Sequence, residues 1–406
     1  MHKHVLNHID PKAIGSRVQE ARKARGLTQQ AVAEHMNLAR TTLVAIEKGE
    51  RRITPHEVVK FAELFARSVS EFVSRESVTV GFVPQFRAAW RQDFEQNSDL
   101  ERSAAELQTL AEDYVELERL CELPLVKAYP PPYETSKSTP EQSAEEIATG
   151  ERNRLGIGDG PISNLRGRLE NDVDLRVFSF AMPPKVSGVF AYNDTLGACV
   201  GINANHPRDR RNWSLAHEYG HFLTNRFHAE ITFLSDRKRQ SSVERLADAF
   251  AENFLMPASG LNRRFTEMHR ASQAGSITLA QICTLADLYQ VSIQALVIRL
   301  EKLRRLPVGQ WEKLKAEGFK PRRAQQLLGI DAGHDEENLL PKRYLNLAGV
   351  AYEKGLLSEG QLSRFLRMDR VSARIKLEKM SSCFNRAIEG GYEPFELKLA
   401  QPLAGR

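Results

Sequence analysis

The segment Trp213-Ser214-Leu215-Ala216-His217-Glu218-Tyr219-Gly220-His221-Phe222-Leu223 holds the residue types and spacing best suited to chemistry. Histidines four residues apart share one face of a helix, so both imidazoles can reach a single ion. Glu218 is rotated by about 100° from His217 around a 3.6-residue helix. From there it can touch a water at the metal without being a ligand, which is the position of a general base. A five-residue pattern also arises by chance on a helix with two unrelated histidines, so a third ligand decides. A third His six residues after the second is absent, because Phe227 stands there and Thr224 precedes it. His228 is one residue out of that register and reads as a surface or loop histidine. The other source is a carboxylate on a following helix. Residues 243–257 form such a helix, with an apolar face of Leu246, Ala247, Phe250, Phe254 and Leu255. Glu244 lies at its start and Asp248 one turn later. An antiparallel course would bring Glu244 to the end nearest the first helix.

These residues need a scaffold. Helices are expected over 141–155, 207–225 and 240–256, with a glycine-rich turn at 156–161 and strands at 175–182, 188–192 and 198–203. Leu215-Ala-His-Glu-Tyr-Gly-His221, then Glu244-xx-Ala247-Asp248-x-Phe250-Ala251-xxx-Leu255-Met256-Pro257, resembles the ImmA/IrrE family of zinc metallopeptidases. Gly201-Ile202-Asn203 and the run from Leu285 to Leu296 extend the likeness over residues 140–305. The resemblance implies an α+β zincin-like domain with Zn2+ as cofactor. It implies His217, His221 and Glu244 as zinc ligands and Glu218 as the base. Asp248 is then either a carboxylate that orients an imidazole or a plain helix-surface charge. In HExxH peptidases an edge strand pairs with the substrate backbone. The expected edge is Ala198, Cys199, Val200, Gly201, Ile202 and Asn203, although an ordinary inner strand reads the same way.

The N-terminal residues suggest a second chemistry. Thr28-Gln29-Gln30-Ala31-Val32-Ala33 opens a helix, and the run Asn37–Gly49 follows it. That run has a turn at Asn37, which tolerates the left-handed conformation, and a further helix through Leu43, Val44 and Ile46 that Gly49 closes. Leu38, Leu43 and Ile46 face a small core. Arg40, Thr41, Thr42, Ala45 and Lys48 are the candidates for meeting base edges and phosphates, and Gln29 for reaching a phosphate. Over about 60 residues this resembles the Xre/Cro-type helix-turn-helix family, which implies a double-stranded DNA operator as partner. Ala39 departs from the family's capping Ser or Thr, a loss of roughly 1 kcal/mol of helix stability. The bland alternative is a helical bundle used only for protein contacts.

Charge supports the DNA reading. The net charge is +5, and residues 1–73 hold 12 Lys/Arg against 8 acids, so +4 of it lies at that end. At 406 residues, 41% hydrophobic and 27% charged, the chain reads as a multi-domain globular protein. It has no apolar run long enough for a membrane span and no signal-peptide core, so a cytoplasmic location is expected. Cys121, Cys199, Cys283 and Cys383 lie far apart, and no CxxC pair offers an alternative metal site.

The expected organisation is an all-α helix-turn-helix domain at 1–75 and a helical connector at 76–135. The connector ends in the Pro-rich Tyr129–Tyr133 stretch, read as an extended spacer. An α+β metallopeptidase core follows at 136–270. After it come an all-α helix-turn-helix-like subdomain at 271–330 and a C-terminal helical domain at 331–406. Arg299, Lys302, Arg304 and Arg305 read as a solvated helix face or as a second nucleic-acid contact. The two family resemblances together imply a DNA-binding regulator that cleaves a specific protein, a repressor encoded nearby, to derepress stress, phage or mobile-element genes. A homodimer is expected. The alternative is a non-proteolytic transcription factor or antitoxin-like repressor that uses the peptidase fold for sensing.

Overall fold

The computed structural model describes residues 11–24, 27–65, 69, 72, 81–89, 98–127, 129–135, 139–233, 241–271, 277–330 and 339–385. They fall into two units, residues 1–80 and 81–406.

In the first unit, helices α1 (Pro11–Ala24), α2 (Gln29–His35), α3 (Arg40–Glu47) and α4 (Pro55–Phe65) enclose Val18, Val32, Leu43, Ile46, Phe61 and Phe65. Asn37 turns the chain between α2 and α3 at φ 55°, and Gly49 ends α3 at φ 74°. Both are positions where a left-handed backbone favours these residue types. Ala39 begins α3 with no side-chain cap, as its type dictates.

The second unit is built on a four-stranded sheet of β1 (Arg176–Phe180), β2 (Val186–Asn193), β3 (Gly197–Asn203) and β4 (Glu230–Phe233), in the order β1-β3-β2-β4. β1 runs parallel to β3, and β2 runs antiparallel to both β3 and β4. The expected edge strand is therefore an inner one. Ala198–Asn203 is paired on both sides and buried along its whole length. The edges are β1 and β4, the latter a short strand that the sequence reading did not place.

The alternation of side chains along the strands sends them to two cores. Val177, Phe190, Val200 and Ile202 pack beneath α7 (Pro140–Arg154), α8 (Leu165–Asp172), α9 (Arg208–Thr224) and α10 (Ser242–Leu255). Phe178, Val189, Cys199 and Ile231 pack on α5 (Phe82–Ala89), α6 (Ser98–Leu120), α16 (Lys342–Glu353) and α17 (Glu359–Leu366). The expected connector helix and the C-terminal helices thus form the second layer of the sheet rather than separate domains. A buried bidentate pair locks that layer: Arg176 donates to both Glu118 oxygens at 3.0 and 2.9 Å, and Arg343 reaches the same carboxylate at 2.6 Å.

The Pro-rich stretch is extended, but it is not a free spacer. The Tyr129 ring lies 5.2 Å from that of Phe222, and the Tyr133 N–H donates to the Leu223 carbonyl at 2.9 Å. Burying these rings against α9 outweighs the freedom of a linker.

Beyond α11 (Ala258–Ala271), helices α12 (Leu279–Leu288) and α13 (Ile293–Lys302) cross at 103°, with Gln290 at φ 55° and Ser292 capping α13. That is helix-turn-helix geometry, with Leu296, Val297 and Leu300 on its second helix buried. Arg299 is buried too, donating to the Met256 carbonyl and the Asn253 side chain, while Lys302 pairs with Glu252. Two of the four cations read as a solvated face thus hold the end of α10, Arg299 from within the core and Lys302 from the surface. α14 (Gln310–Ala316), α15 (Pro321–Leu327) and α18 (Arg370–Asn385) complete the described helices. No single helix among the described residues is long and apolar enough to cross a membrane.

Candidate metal centre

α9 lies between the sheet and α10, so residues 214–223 are buried on every side of the helix, polar ones included. Gly220 allows the close approach of α10: a Cβ there would stand 3.2 Å from Ala247 Cα. α10 starts at Ser241, whose hydroxyl accepts the Glu244 N–H at 3.2 Å. This cap fixes Glu244 in the first turn, facing the two histidines.

His217 Nε2 and His221 Nε2 are 3.0 Å apart. Glu244 places one oxygen 3.4 Å from the first and the other 3.3 Å from the second. Three tetrahedral ligand atoms, each about 2.0–2.1 Å from a zinc ion, stand about 3.3–3.4 Å from one another. Two imidazoles and a carboxylate converging at these separations fit a zinc ion. Asp248 Oδ1 lies 2.9 Å from His217 Nδ1, so one helix grips both nitrogens of that ring. This favours the orienting role over a plain surface charge. His221 Nδ1 is buried without a hydrogen bond. His228 is exposed.

Glu218 is fully buried, and neither of its oxygens makes a well-formed hydrogen bond; the Thr232 hydroxyl on β4 is a polar neighbour. Burial pushes its carboxyl up to about 7, against the pull of His217. A buried, unsatisfied carboxylate is costly in a core that gains nothing else from it. Burial opposes charge on His217, but its hydrogen bonds to Asp248 and Glu244 outweigh that and lift the imidazole to about 10. Burial would raise Glu244, yet the hydrogen bonds from His217 and His221 hold it well below the usual carboxylate range.

Residues outside the motif complete the site. Gly188 on β2 leaves room for the Glu218 carboxylate, since a Cβ there would meet Oε1 at 2.4 Å. On β4, Glu230 accepts from Asn225 at 3.0 Å, and burial raises its carboxyl, helped by Glu244 and Glu218 and opposed by His221. Glu151 on α7 is buried and accepts from the hydroxyls of Tyr219 and Tyr133 and from Arg154. It pins the far side of α9. Nothing in local spacing marks these residues, because each reaches the site through sheet pairing or helix packing.

In the first unit, Arg40, Thr41 and Lys48 are exposed and Thr42 and Ala45 half-buried. The Gln29 amide donates to Glu47 at 2.9 Å, beside the buried Arg22–Glu47 ion pair at 2.6 Å.

Residues 170–301 match the IrrE N-terminal-like domain of a peptidase family, and residues 18–72 match a helix-turn-helix family. No curated protein matches the chain. Among solved structures, ComR from Streptococcus suis aligns over 94% of this chain and 92% of its own at 12% identity, with a TM-score of 0.16, too low to support any argument.

Proposed function

We propose that this helix-turn-helix fused to an IrrE-like domain is a DNA-binding regulator whose second unit is a zinc-dependent endopeptidase. Its substrate would be one regulatory protein, a partner repressor whose cleavage derepresses the genes it silences. The observation that carries the reading is the convergence of His217, His221 and Glu244 beside a buried carboxylate that makes no well-formed hydrogen bond among the described residues.

When bound, zinc supplies Lewis acidity to a peptide carbonyl and to water. His217 and His221 would hold it through Nε2, and Glu244 through its carboxylate. Asp248 keeps the Nδ1 proton of His217 in place, which leaves Nε2 free as a donor. Glu218 takes the proton of the attacking water on its carboxylate and returns it to the leaving amine nitrogen. Its raised proton affinity suits both halves of that transfer near neutrality. The β4 edge, rather than β3, is the strand beside this base, and an extended substrate would add to it by backbone pairing.

Zinc analysis with Glu218→Gln tests the reading. The variant should bind one zinc per chain yet neither cleave the repressor nor derepress its genes. Derepression that survives the substitution would refute a proteolytic mechanism. A zinc content indifferent to Glu244→Ala would refute the ligand set.

A further inference from the structure

The second unit concentrates positive charge in one stretch. Residues 302–323 hold eight Lys/Arg against two acids, a net +6. Residues 81–406 together carry only +1, which leaves −5 for the remainder. All eight cations are exposed. Elsewhere in this unit exposed arginines are commonly matched to acids: Arg168 to Asp172, Arg245 to Glu141, Arg263 to Asp159 and Arg374 to Glu359. Here Lys302, Lys313 and Lys315 have acid partners and Arg305 an amide oxygen. The side chains of Arg304, Lys320, Arg322 and Arg323 make no ion pair or hydrogen bond among the described residues.

These four are not on a loose tail. Glu301 accepts the backbone N–H groups of Gly309 and Trp311, and the Trp311 ring is buried, with the Phe319 ring 6.4 Å away edge-on. The helices bearing the charge are thus held onto the core of the unit. Eight cations on a rigid support, with only Glu312 and Glu317 interspersed, form a surface that attracts a polyanion.

We propose that residues 302–323 form a second DNA-binding surface that grips the phosphate backbone of a duplex without reading its sequence. The inference is independent of the peptidase reading. Trp311 is buried, so no exposed indole is offered for stacking on the bases of a single strand. Val308 is the one exposed large apolar side chain in the stretch, too little to insert into a bilayer. A duplex already engaged by the first unit would also be at high effective concentration.

The test uses the full chain with Arg304, Lys320, Arg322 and Arg323 all changed to Gln, titrated with random-sequence duplex DNA over a salt series. Loss of four phosphate contacts should reduce the slope of log affinity against log salt by about 3.6. Melting temperature and zinc content should be unchanged, because these side chains have no partners among the described residues to lose. Arg40→Ala with Thr41→Ala, in the first unit, should leave that difference intact, which separates this surface from the helix-turn-helix. An unchanged slope would overturn the proposal. So would a loss seen only with phosphatidylglycerol vesicles, or a wild-type chain whose duplex binding vanishes with the Arg40/Thr41 variant.

Discussion

Removing the Asp248 carboxylate tests the metal centre without needing a substrate. In Asp248→Ala, His217 loses the 2.9 Å bond at Nδ1 that sets its tautomer and ring orientation, while all three proposed ligand atoms remain. The ring is almost wholly buried, so little water can replace the lost acceptor. Outer partners of this kind are worth about 10- to 100-fold in metal affinity, or about 1.4–2.7 kcal/mol. One term works in the opposite direction. Asp248 also helps hold a proton on His217, which zinc must displace. Its removal eases that competition at neutral pH, so the loss should be larger at about pH 9 than at about pH 7. Competition with a chromophoric chelator at both pH values reads the effect. A zinc affinity within about threefold of wild type at both would refute the orienting role. Loss of zinc as complete as in Glu244→Ala would instead make Asp248 a ligand.

Three further outcomes are expected. Gly188→Ala should keep zinc but displace the Glu218 carboxylate by about 1 Å from its 2.4 Å clash, slowing cleavage by about 100-fold; rates near wild type would show that the base has room to spare. Asp113, buried between α6 and α17 with Arg364 and Arg367 each 3.7 Å away, is raised by burial from 3.8 to about 6. Its folded pKa exceeds the unfolded one, so its contribution is fully present below about pH 4 and is lost as pH rises through 6. Asp113→Asn should remove that dependence, and urea unfolding of the two forms should diverge across this window by up to about 3 kcal/mol; parallel profiles would refute it. Ala39→Ser should stabilise the first unit by about 0.5–1 kcal/mol, because the extended backbone at position 39 already presents a capping geometry. Thermal unfolding of that unit measures it, and no gain would mean α3 is limited elsewhere.

The local parts of this protein were legible because helical periodicity is a property of the chain alone. Four-residue spacing puts His217 and His221 together in any helix, and Asn37 and Gly49 announce the ends of α2 and α3 through their tolerance of positive φ. Glu244 was legible as a candidate from the apolar face that its helix must bury. What the chain could not express locally was which elements become neighbours. β3 reads like an edge strand, but pairing with both β1 and β2 makes it an inner one. The helix at 98–120 and the prolines near Tyr129 read as connector and linker because their partners, the second face of the sheet and the flank of α9, are remote in sequence. The helix-turn-helix pattern of α12 and α13 is real, yet packing against α10 draws Arg299 into the core. Gly188, Thr232 and Glu151 reach the site only through such packing. The sequence alone thus determined which residues could do chemistry. The tertiary structure decided their surroundings, since burial and charge environment are sums over residues far apart in the chain.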